Sequence, residues 1–226
     1  MTGSVASMLR QGEPHSLADK AYQLLVRKII RVELAPGTVL VEKSLIEQLG
    51  IGRTPIREAL QRLAIEGLVT HLANRGMLVS EISATTVQEI YEFRLLVDGY
   101  AARLAATRAT PKQIEELASL QKELVEATEE DDIDRYVLLD RSFYEVLASA
   151  SHNRLLAEAI PRIFNLHLRL WFVISKKLGS WHPIAQAHEQ MTKSVVDGLL
   201  RRDPDAAELA MRVYISERQQ DFRNMI

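Results

Sequence analysis

Two arginines, Arg53 and Arg57, lie four residues apart at the start of a segment that is apolar on its other side. At helical spacing they share one face, which Gln61 extends by another turn. Guanidinium groups beside the free N–H groups of a helix N-terminus favour an anion, and arginine also pairs with the O6 and N7 atoms of guanine. The pattern therefore indicates a nucleic-acid contact. The alternative is that both arginines are only solvated, with Glu58 nearby.

Two flanking segments carry groups of the same kind. Lys43 and Ser44 begin the preceding helical segment, at the position where a helix pair meets backbone phosphates. Asn74, Arg75 and Gly76 form the turn between two strand-like runs, and a basic hairpin tip can reach into a minor groove. These residues extend the candidate nucleic-acid surface beyond a single helix.

Local patterns predict the elements that position these side chains. Ser16 is a predicted N-cap for an apolar stripe at helical spacing, and Thr54 is a predicted N-cap for the helix that Gly67 ends. Residues 17–82 are predicted to form a helix to about 32, a strand at 38–40, helices at 42–49 and 54–66, and strands at 68–72 and 77–82. A helix–turn–helix followed by a β-hairpin is a winged helix-turn-helix, whose second helix enters the DNA major groove.

After Ile82 the sequence is almost continuously helical in period, and glycine and proline become sparse. This shift marks a domain boundary near residues 80–83. We expect a flexible leader over 1–15, a winged helix-turn-helix over 16–82 and an all-helical domain over 83–226, which is a mostly α fold with a six-helix C-terminal bundle. The predicted helices of that bundle span about 83–108, 111–128, 131–150, 152–178, 182–202 and 204–223.

Composition excludes several classes of protein. The chain has 226 residues, no cysteine and an ordinary globular balance of apolar and charged residues, so disulfides, thiolate metal sites and cysteine nucleophiles are absent. No glycine-rich phosphate loop or His-Glu-x-x-His motif is present, and we expect no enzyme. No apolar run approaches the roughly 18 residues of a membrane helix, so we expect a cytoplasmic protein without a membrane partner. Residues 1–80 carry a charge of +3 within the overall −2, which suits a nucleic-acid-facing first domain.

Four stretches of the first domain resemble the winged helix of the GntR family of bacterial regulators. They are Leu34-Ala-Pro-Gly-Thr-Val-Leu40, Leu49-Gly-Ile-Gly-Arg-Thr-Pro-Ile-Arg-Glu-Ala-Leu60, Glu66-Gly-Leu-Val69 and Asn74-Arg-Gly76. The resemblance implies that Arg53, Thr54 and Arg57 read or hold DNA. It also implies that Lys43 contacts the DNA backbone and that the segment Arg75-Gly76 lies in the wing.

The remainder resembles, more loosely, the FadR-type C-terminal effector domain in its six-helix form, around residues 91–98, 139–144, 150–153 and 203–211. Many members of that group bind a divalent metal through an aspartate, a histidine four residues later and two histidines on the last two helices. Asp140 matches the aspartate, but the histidine positions fall on Tyr144, Thr192 and Tyr214, which are poor ligands for zinc or nickel. His188, one turn before Thr192, could supply one nitrogen. We therefore expect no bound transition metal and no other cofactor.

Hydrogen-bonding groups on these same helix faces predict a polar site inside the helical domain. Buried polar groups need partners, so the set is either a satisfied internal network or a ligand site. Two arginines would suit a carboxylate, although relatives without metal also take larger acyl ligands. Alternatively, Arg94 pairs internally with Asp140 or Asp98. The candidate effector-binding residues are Arg94, Asp140, Tyr144, His188, Thr192, Tyr214 and Arg218.

The sequence thus predicts a DNA-binding transcriptional regulator, acting as a repressor, whose operator affinity is modulated by a small organic acid bound in the helical domain. One recognition helix reads too few base pairs, so we expect a homodimer on a palindromic operator. The alternative is a constitutive DNA-binding regulator whose effector pocket has decayed.

Overall fold

The computed structural model describes residues 16–72 and 76–225, and helices dominate it. The predicted leader over 1–15 lies outside the described residues. The mostly α fold with an N-terminal winged helix-turn-helix is confirmed, and the predicted order of elements is observed. The first elements are α1 (Leu17–Ile30), β1 (Val39–Leu40), α2 (Glu42–Leu49), α3 (Arg53–Ile65), β2 (Val69–Leu72) and β3 (Gly76–Val79).

Six helices follow in the described part of the chain, as the sequence predicts. Their bounds lie within a few residues of the predicted ones, because proline and capping residues mark most of the ends. They are α4 (Ala84–Arg108), α5 (Pro111–Glu129), α6 (Ile133–Ala150), α7 (Arg154–Leu178), α8 (His182–Leu200) and α9 (Pro204–Met225).

The chain forms two compact units, and α7 contributes to both. The first unit holds the described residues up to Ser83 together with Asn165–Val173. The second holds Ala84–Phe164 together with the chain from Ile174 onward. The middle of α7 is therefore part of the unit that contains the winged helix, which no feature of the sequence predicts.

The first unit has a small antiparallel sheet packed with three helices. Its strand order is β1-β3-β2, with Val39 opposite Leu78 and Val69 opposite Val79. The third strand ends at Val79, whereas the apolar pattern predicts a strand to residue 82. The core is aliphatic, and its largest fully buried side chains are Leu25, Ile29, Ile56, Leu60, Leu63 and Leu68.

Local capping explains where the helices of this unit begin and end. The Ser16 hydroxyl accepts a hydrogen bond from the Asp19 N–H, so the predicted N-cap of α1 is confirmed. Gly50 ends α2 with a φ of 64°, a left-handed conformation that favours glycine. The predicted N-cap at Thr54 is wrong: α3 begins at Arg53, and the extended residue Gly52 takes the N-cap position.

Within the first unit, the middle of α7 is joined to α1 and α3 by polar side chains. The Tyr22 hydroxyl donates to the Glu66 carboxylate at 2.7 Å, and the Asn165 amide donates to both of these groups at 3.2 and 3.3 Å. Arg169 donates from Nη2 to the carbonyl of Ser80 at 2.7 Å. Glu66 directly follows α3, so this network fixes the end of that helix.

The helices of the second unit are capped in the same way and approach one another closely. Thr110 and Gln113 form a reciprocal capping box at the start of α5. Gly179 ends α7 with a φ of 69°. A Cβ on Gly198 would lie 2.9 Å from the backbone N of Ala207, so only glycine permits this approach of α8 to α9. The tight bundle is what brings the polar side chains of α4, α6, α8 and α9 together.

Candidate functional site

The candidate recognition surface is the exposed face of α3. The buried positions of α3 are Ile56, Ala59, Leu60 and Leu63, as the apolar stripe predicts. Thr54, Arg57 and Gln61 recur at intervals of three and four residues and are all exposed. The structure thus holds the predicted polar residues of this helix on one solvent-facing side.

A carboxylate on the neighbouring helix contacts both arginines of this surface. Arg57 Nε donates to Glu42 Oε1 at 2.8 Å, and Arg53 Nε lies 4.0 Å from Glu42 Oε2. The hydrogen bond that Glu42 accepts, together with its negative charge, raises the pKa of Arg57. The partner of these arginines is therefore Glu42 of α2 and not Glu58, the residue that the sequence places beside them.

The other predicted DNA-contacting residues lie at the edges of this surface or outside the described chain. Lys43 is exposed in the first turn of α2, and the Ser44 hydroxyl accepts a hydrogen bond from Gln48 at 2.9 Å. Gly76 begins β3, is exposed and has a φ of 76°. Asn74 and Arg75 lie outside the described residues.

The second candidate site is a polar cluster in the helical unit, centred on a fully buried arginine. Arg94 of α4 has a relative exposure of 2% and donates from Nε to Asp98 at 2.8 Å. Its Nη2 donates to the Tyr144 hydroxyl of α6 at 2.8 Å. Burial by itself lowers the pKa of Arg94, but the interactions with Tyr144 and Asp98 outweigh it and raise that pKa. The guanidinium is therefore a fixed positive charge inside the bundle.

A histidine–aspartate contact forms the other half of the cluster. His188 Nε2 of α8 lies 3.1 Å from Asp140 Oδ1 of α6, but the two atoms are not aligned for a hydrogen bond. His188 Nδ1 shares a hydrogen bond of 2.9 Å with the Tyr136 hydroxyl. The imidazole stacks on Tyr144 with ring centroids 6.0 Å apart, and Tyr214 of α9 meets it edge-on at 5.6 Å.

Several buried polar atoms of this cluster make no hydrogen bond to any residue that the structure describes. They are Arg94 Nη1, Asp98 Oδ1, Asp140 Oδ1 and His188 Nε2, and Arg218 Nε joins them at the edge. An unsatisfied buried donor or acceptor costs about 1–3 kcal/mol, so such atoms are uncommon in a folded protein. Asp140 Oδ1 and His188 Nε2 lie 3.1 Å from each other, so the unused hydrogen-bonding capacity of the cluster belongs mainly to the other three atoms.

Burial also keeps the cluster tyrosines protonated. It raises the pKa values of Tyr136, Tyr144 and Tyr214, and it raises the pKa of Tyr91, which is buried on α4 and senses the charge of Arg94, to about 12. The pKa of the Asp98 carboxyl rises through burial, and the charge of Arg94 offsets part of that rise. The tyrosine hydroxyls can therefore donate hydrogen bonds at any physiological pH.

The structure brings five of the seven predicted effector-site residues into one contact network: Arg94, Asp140, Tyr144, His188 and Tyr214. Arg218 contacts only its edge, with Cζ 5.7 Å from the Tyr214 ring, and pairs with Asp221. The Thr192 hydroxyl donates to the Glu189 carbonyl of its own helix.

Two members of the cluster were not predicted as site residues. Asp98 stands four residues after Arg94, a spacing that places both on one helix face. Tyr136 stands one turn before Asp140, so the same periodicity could have indicated it.

The cluster does not fit a tightly bound transition metal. Among the described residues, no group of three or more His, Cys, Asp or Glu side chains could hold a metal ion. Asp140 and His188 offer one oxygen and one nitrogen, whereas zinc takes four ligands and favours imidazole or thiolate. Tyr144 and Tyr214 stand at two of the remaining positions, and tyrosine is a poor ligand for zinc or nickel.

No helix in the part of the chain that the structure describes is long and apolar enough to cross a membrane. A winged helix with a basic recognition surface, followed by an all-helical unit with a buried polar cluster, defines a DNA-binding regulator with a second, bundle-type domain.

Comparison with known proteins gives the family. Residues 17–79 match the model of bacterial regulatory proteins of the gntR family, and residues 89–217 match the FCD domain. The chain therefore belongs to the GntR family of bacterial transcriptional regulators, in the FadR-type group that carries an FCD domain.

Individual relatives agree with this assignment. The chain is 34% identical to the Nta operon transcriptional regulator of Aminobacter aminovorans over 69% of its own length and 70% of the relative's. It is 26% identical to the HTH-type transcriptional repressor RspR of Escherichia coli, over 98% of this chain and 95% of that protein. Among solved structures, E. coli McbR/YncC has the same fold, with a TM-score of 0.74 at 22% identity over 93% of this chain and 98% of that chain.

Proposed function

We propose that the protein is a homodimeric repressor whose operator affinity changes when a small organic acid binds the buried cluster of the helical unit. The observation that supports this proposal is the unused Nη1 donor of Arg94 inside the bundle, close to the Asp140–His188 contact, whose two facing atoms lie 3.1 Å apart without an aligned hydrogen bond. A ligand that satisfies these atoms removes a cost that the free protein bears, and that gain contributes to its affinity.

The chemistry of the unsatisfied atoms supports an acid. Arg94 Nη1 is a charged donor, and a carboxylate is the acceptor that matches it best. Asp140 Oδ1 is an acceptor, so an acid that also carries a hydroxyl satisfies one atom more. We therefore expect hydroxy acids to bind more tightly than plain carboxylates of equal size.

The proposal on the DNA side rests on α3. Arg53, Thr54, Arg57 and Gln61 would face the major groove, because α3 is the second helix of the helix–turn–helix pair. Lys43 and Ser44 would contact backbone phosphates, and the segment Asn74-Arg75-Gly76 would reach the minor groove as the wing.

Three further observations support a dimeric repressor. The side chains of Phe93, Leu96 and Tyr100 on α4 are exposed at intervals of three and four residues, which gives a second copy an apolar strip to cover. A two-fold dimer also doubles the sequence read by one recognition helix. The relative RspR is an HTH-type transcriptional repressor, and we propose that this protein also represses transcription.

A second candidate is a constitutive regulator with a closed cluster. It is favoured by the rings of Tyr144 and Tyr214 that pack against His188 and by the short distance between His188 and Asp140. In that case the protein's own side chains fill the space that a ligand would need.

The test is a thermal-melt screen of hydroxy acids, sugar acids and acyl-CoA esters. A ligand at about 100 times its Kd adds about 2.7 kcal/mol of stability, which for a chain of this size raises Tm by roughly 5–10 °C. The full-length protein can be used to enrich its preferred duplex from a randomised pool of DNA. The stabilising acid should also change the affinity of the protein for that duplex.

Two variants test whether the rise in Tm comes from ligand binding at the buried cluster. His188→Gln should lose most of the shift in Tm, whereas Arg212→Gln, an exposed position on α9, should keep it. A full screen without any rise in Tm favours the constitutive regulator.

A further inference from the structure

Glu42 occupies a position that a DNA-contacting surface would normally avoid. It is the first residue of α2, and its side chain is about one-third exposed beside Arg57 and Arg53. A carboxylate at a helix N-terminus is favoured by the helix dipole, which is the ordinary reason for its presence. Facing DNA, however, the same charge repels every phosphate that approaches the two arginines. The hydrogen bond between Glu42 and Arg57 provides an effect that can offset this repulsion.

Glu42 engages only one edge of the Arg57 guanidinium. The carboxylate accepts from Nε at 2.8 Å, and in the described part of the chain neither Nη nitrogen of Arg57 donates to a protein atom. The guanidinium is planar, so a hydrogen bond at Nε fixes the direction in which the two Nη nitrogens point. Those nitrogens form the outer fork that can pair with O6 and N7 of a guanine.

We propose that Glu42 is a specificity-determining residue of the DNA-binding surface, which orients the outer fork of Arg57 toward a base edge and weakens binding to DNA that lacks the matching base. The proposal rests on the DNA contact of Arg57 proposed above. An oriented arginine loses less side-chain freedom when it meets its guanine, so operator binding gains from the contact. Non-operator DNA lacks the matching guanine at that position, so there the repulsion by Glu42 is not compensated.

This role predicts opposite effects of one substitution on two kinds of DNA. Glu42→Ala frees the Arg57 side chain and removes one negative charge. Binding to operator should weaken, because the fork is no longer oriented. Binding to scrambled DNA should stay constant or tighten, because the surface becomes more positive. A role limited to folding would instead weaken binding to both.

The experiment uses the full-length protein and two duplexes. One is the duplex that the wild-type protein enriches from a randomised pool, and the other is a scrambled duplex of the same length and composition. For Glu42→Ala we expect the ratio of the two affinities to fall about tenfold, the size of one lost bidentate base contact. Glu47→Ala removes the same charge from the exposed side of α2 and should leave that ratio within about twofold of wild type.

A Glu42→Ala variant that keeps the wild-type ratio would overturn the proposal, whether both affinities stay unchanged or fall equally. The double variant gives a second test. In an Arg57→Ala background, Glu42→Ala should lower the ratio no further, and a further drop contradicts an action through Arg57.

The same data separate this inference from the proposed DNA contact. If Arg57→Ala binds the selected duplex like wild type, both the contact and the role of Glu42 are wrong. If Arg57→Ala loses operator affinity but Glu42→Ala keeps the ratio, only the role of Glu42 is wrong.

Discussion

The buried pair of Arg94 and Asp98 makes a strong prediction about stability. Both side chains are at most 2% exposed, and Arg94 Nε donates to Asp98 Oδ2 at 2.8 Å. Arg94→Met keeps a long side chain but leaves the Asp98 carboxyl buried without its cation. Removing one member of a buried ion pair costs about 3–5 kcal/mol, because the remaining charge is not compensated. We expect a loss of that size in the free energy of unfolding at pH 7.

The pH dependence of this loss follows from the raised pKa of Asp98. Burial already raises that pKa in the native protein, and loss of Arg94 raises it further above the unfolded value of about 3.9. The native variant then binds a proton that its unfolded chain releases. Its stability therefore falls as pH rises above about 4, by up to about 1.4 kcal/mol per pH unit. The deficit relative to wild type should be largest near pH 7 and smallest near pH 4.

The assay is urea unfolding followed by far-ultraviolet circular dichroism at several pH values between 4 and 7.5. Arg103→Met serves as the control, because Arg103 lies on the same helix but pairs with Glu208 at the surface, and it should cost far less. Adding Asp98→Leu to Arg94→Met should restore most of the stability, since no buried charge remains. The reasoning is refuted if Arg94→Met loses less than about 1 kcal/mol at pH 7, or loses equally at pH 4 and pH 7.

Three further predictions concern other parts of the chain. Lys43→Ala should weaken binding to operator and scrambled DNA alike, and it should reduce the slope of log affinity against log salt by about 1. Anisotropy titrations over a salt series measure both effects. A loss confined to operator contradicts a phosphate contact. Tyr22→Phe removes the hydroxyl that donates to Glu66 and should lower the free energy of unfolding by about 1 kcal/mol, measured by urea unfolding; an unchanged midpoint means that the network adds no stability. Elemental analysis of protein purified without chelator or a nickel column should find far less than one equivalent of transition metal per chain; about one equivalent overturns the expectation drawn from the ligand positions.

The recognition surface and the buried cluster differ in how much they depend on packing. The predicted residues of α3 lie on one exposed face because helical periodicity alone fixes their direction. The partner of Arg57 depends on tertiary packing. Glu42 is 15 residues away on a different helix, and its contact with Arg57 depends on the angle at which α2 packs against α3. Sequence proximity favours Glu58, and the structure shows Glu42.

In the helical unit, too, the contacts between site residues depend on packing, and there the residues are farther apart in the sequence. Periodicity and the family resemblance together indicate Arg94, Asp140, Tyr144, His188 and Tyr214. The contacts between them join distant residues, as in the hydrogen bond of Arg94 to Tyr144, 50 positions away. Which polar atoms find a partner and which stay unsatisfied depends on ångström-scale distances, and these are fixed only when the bundle packs.

The sequence by itself determined the elements of this protein, because their signals are local. Caps such as Ser16, Thr110 and Gly179, prolines in first turns and apolar stripes each act within one or two helical turns, so they can be recognised before the chain is folded. Tertiary structure alone decided that the middle of α7 belongs to the winged-helix unit, where Asn165 bonds Tyr22 from 143 residues away. A contact of that kind depends on the summed geometry of every intervening element, and no local pattern encodes it.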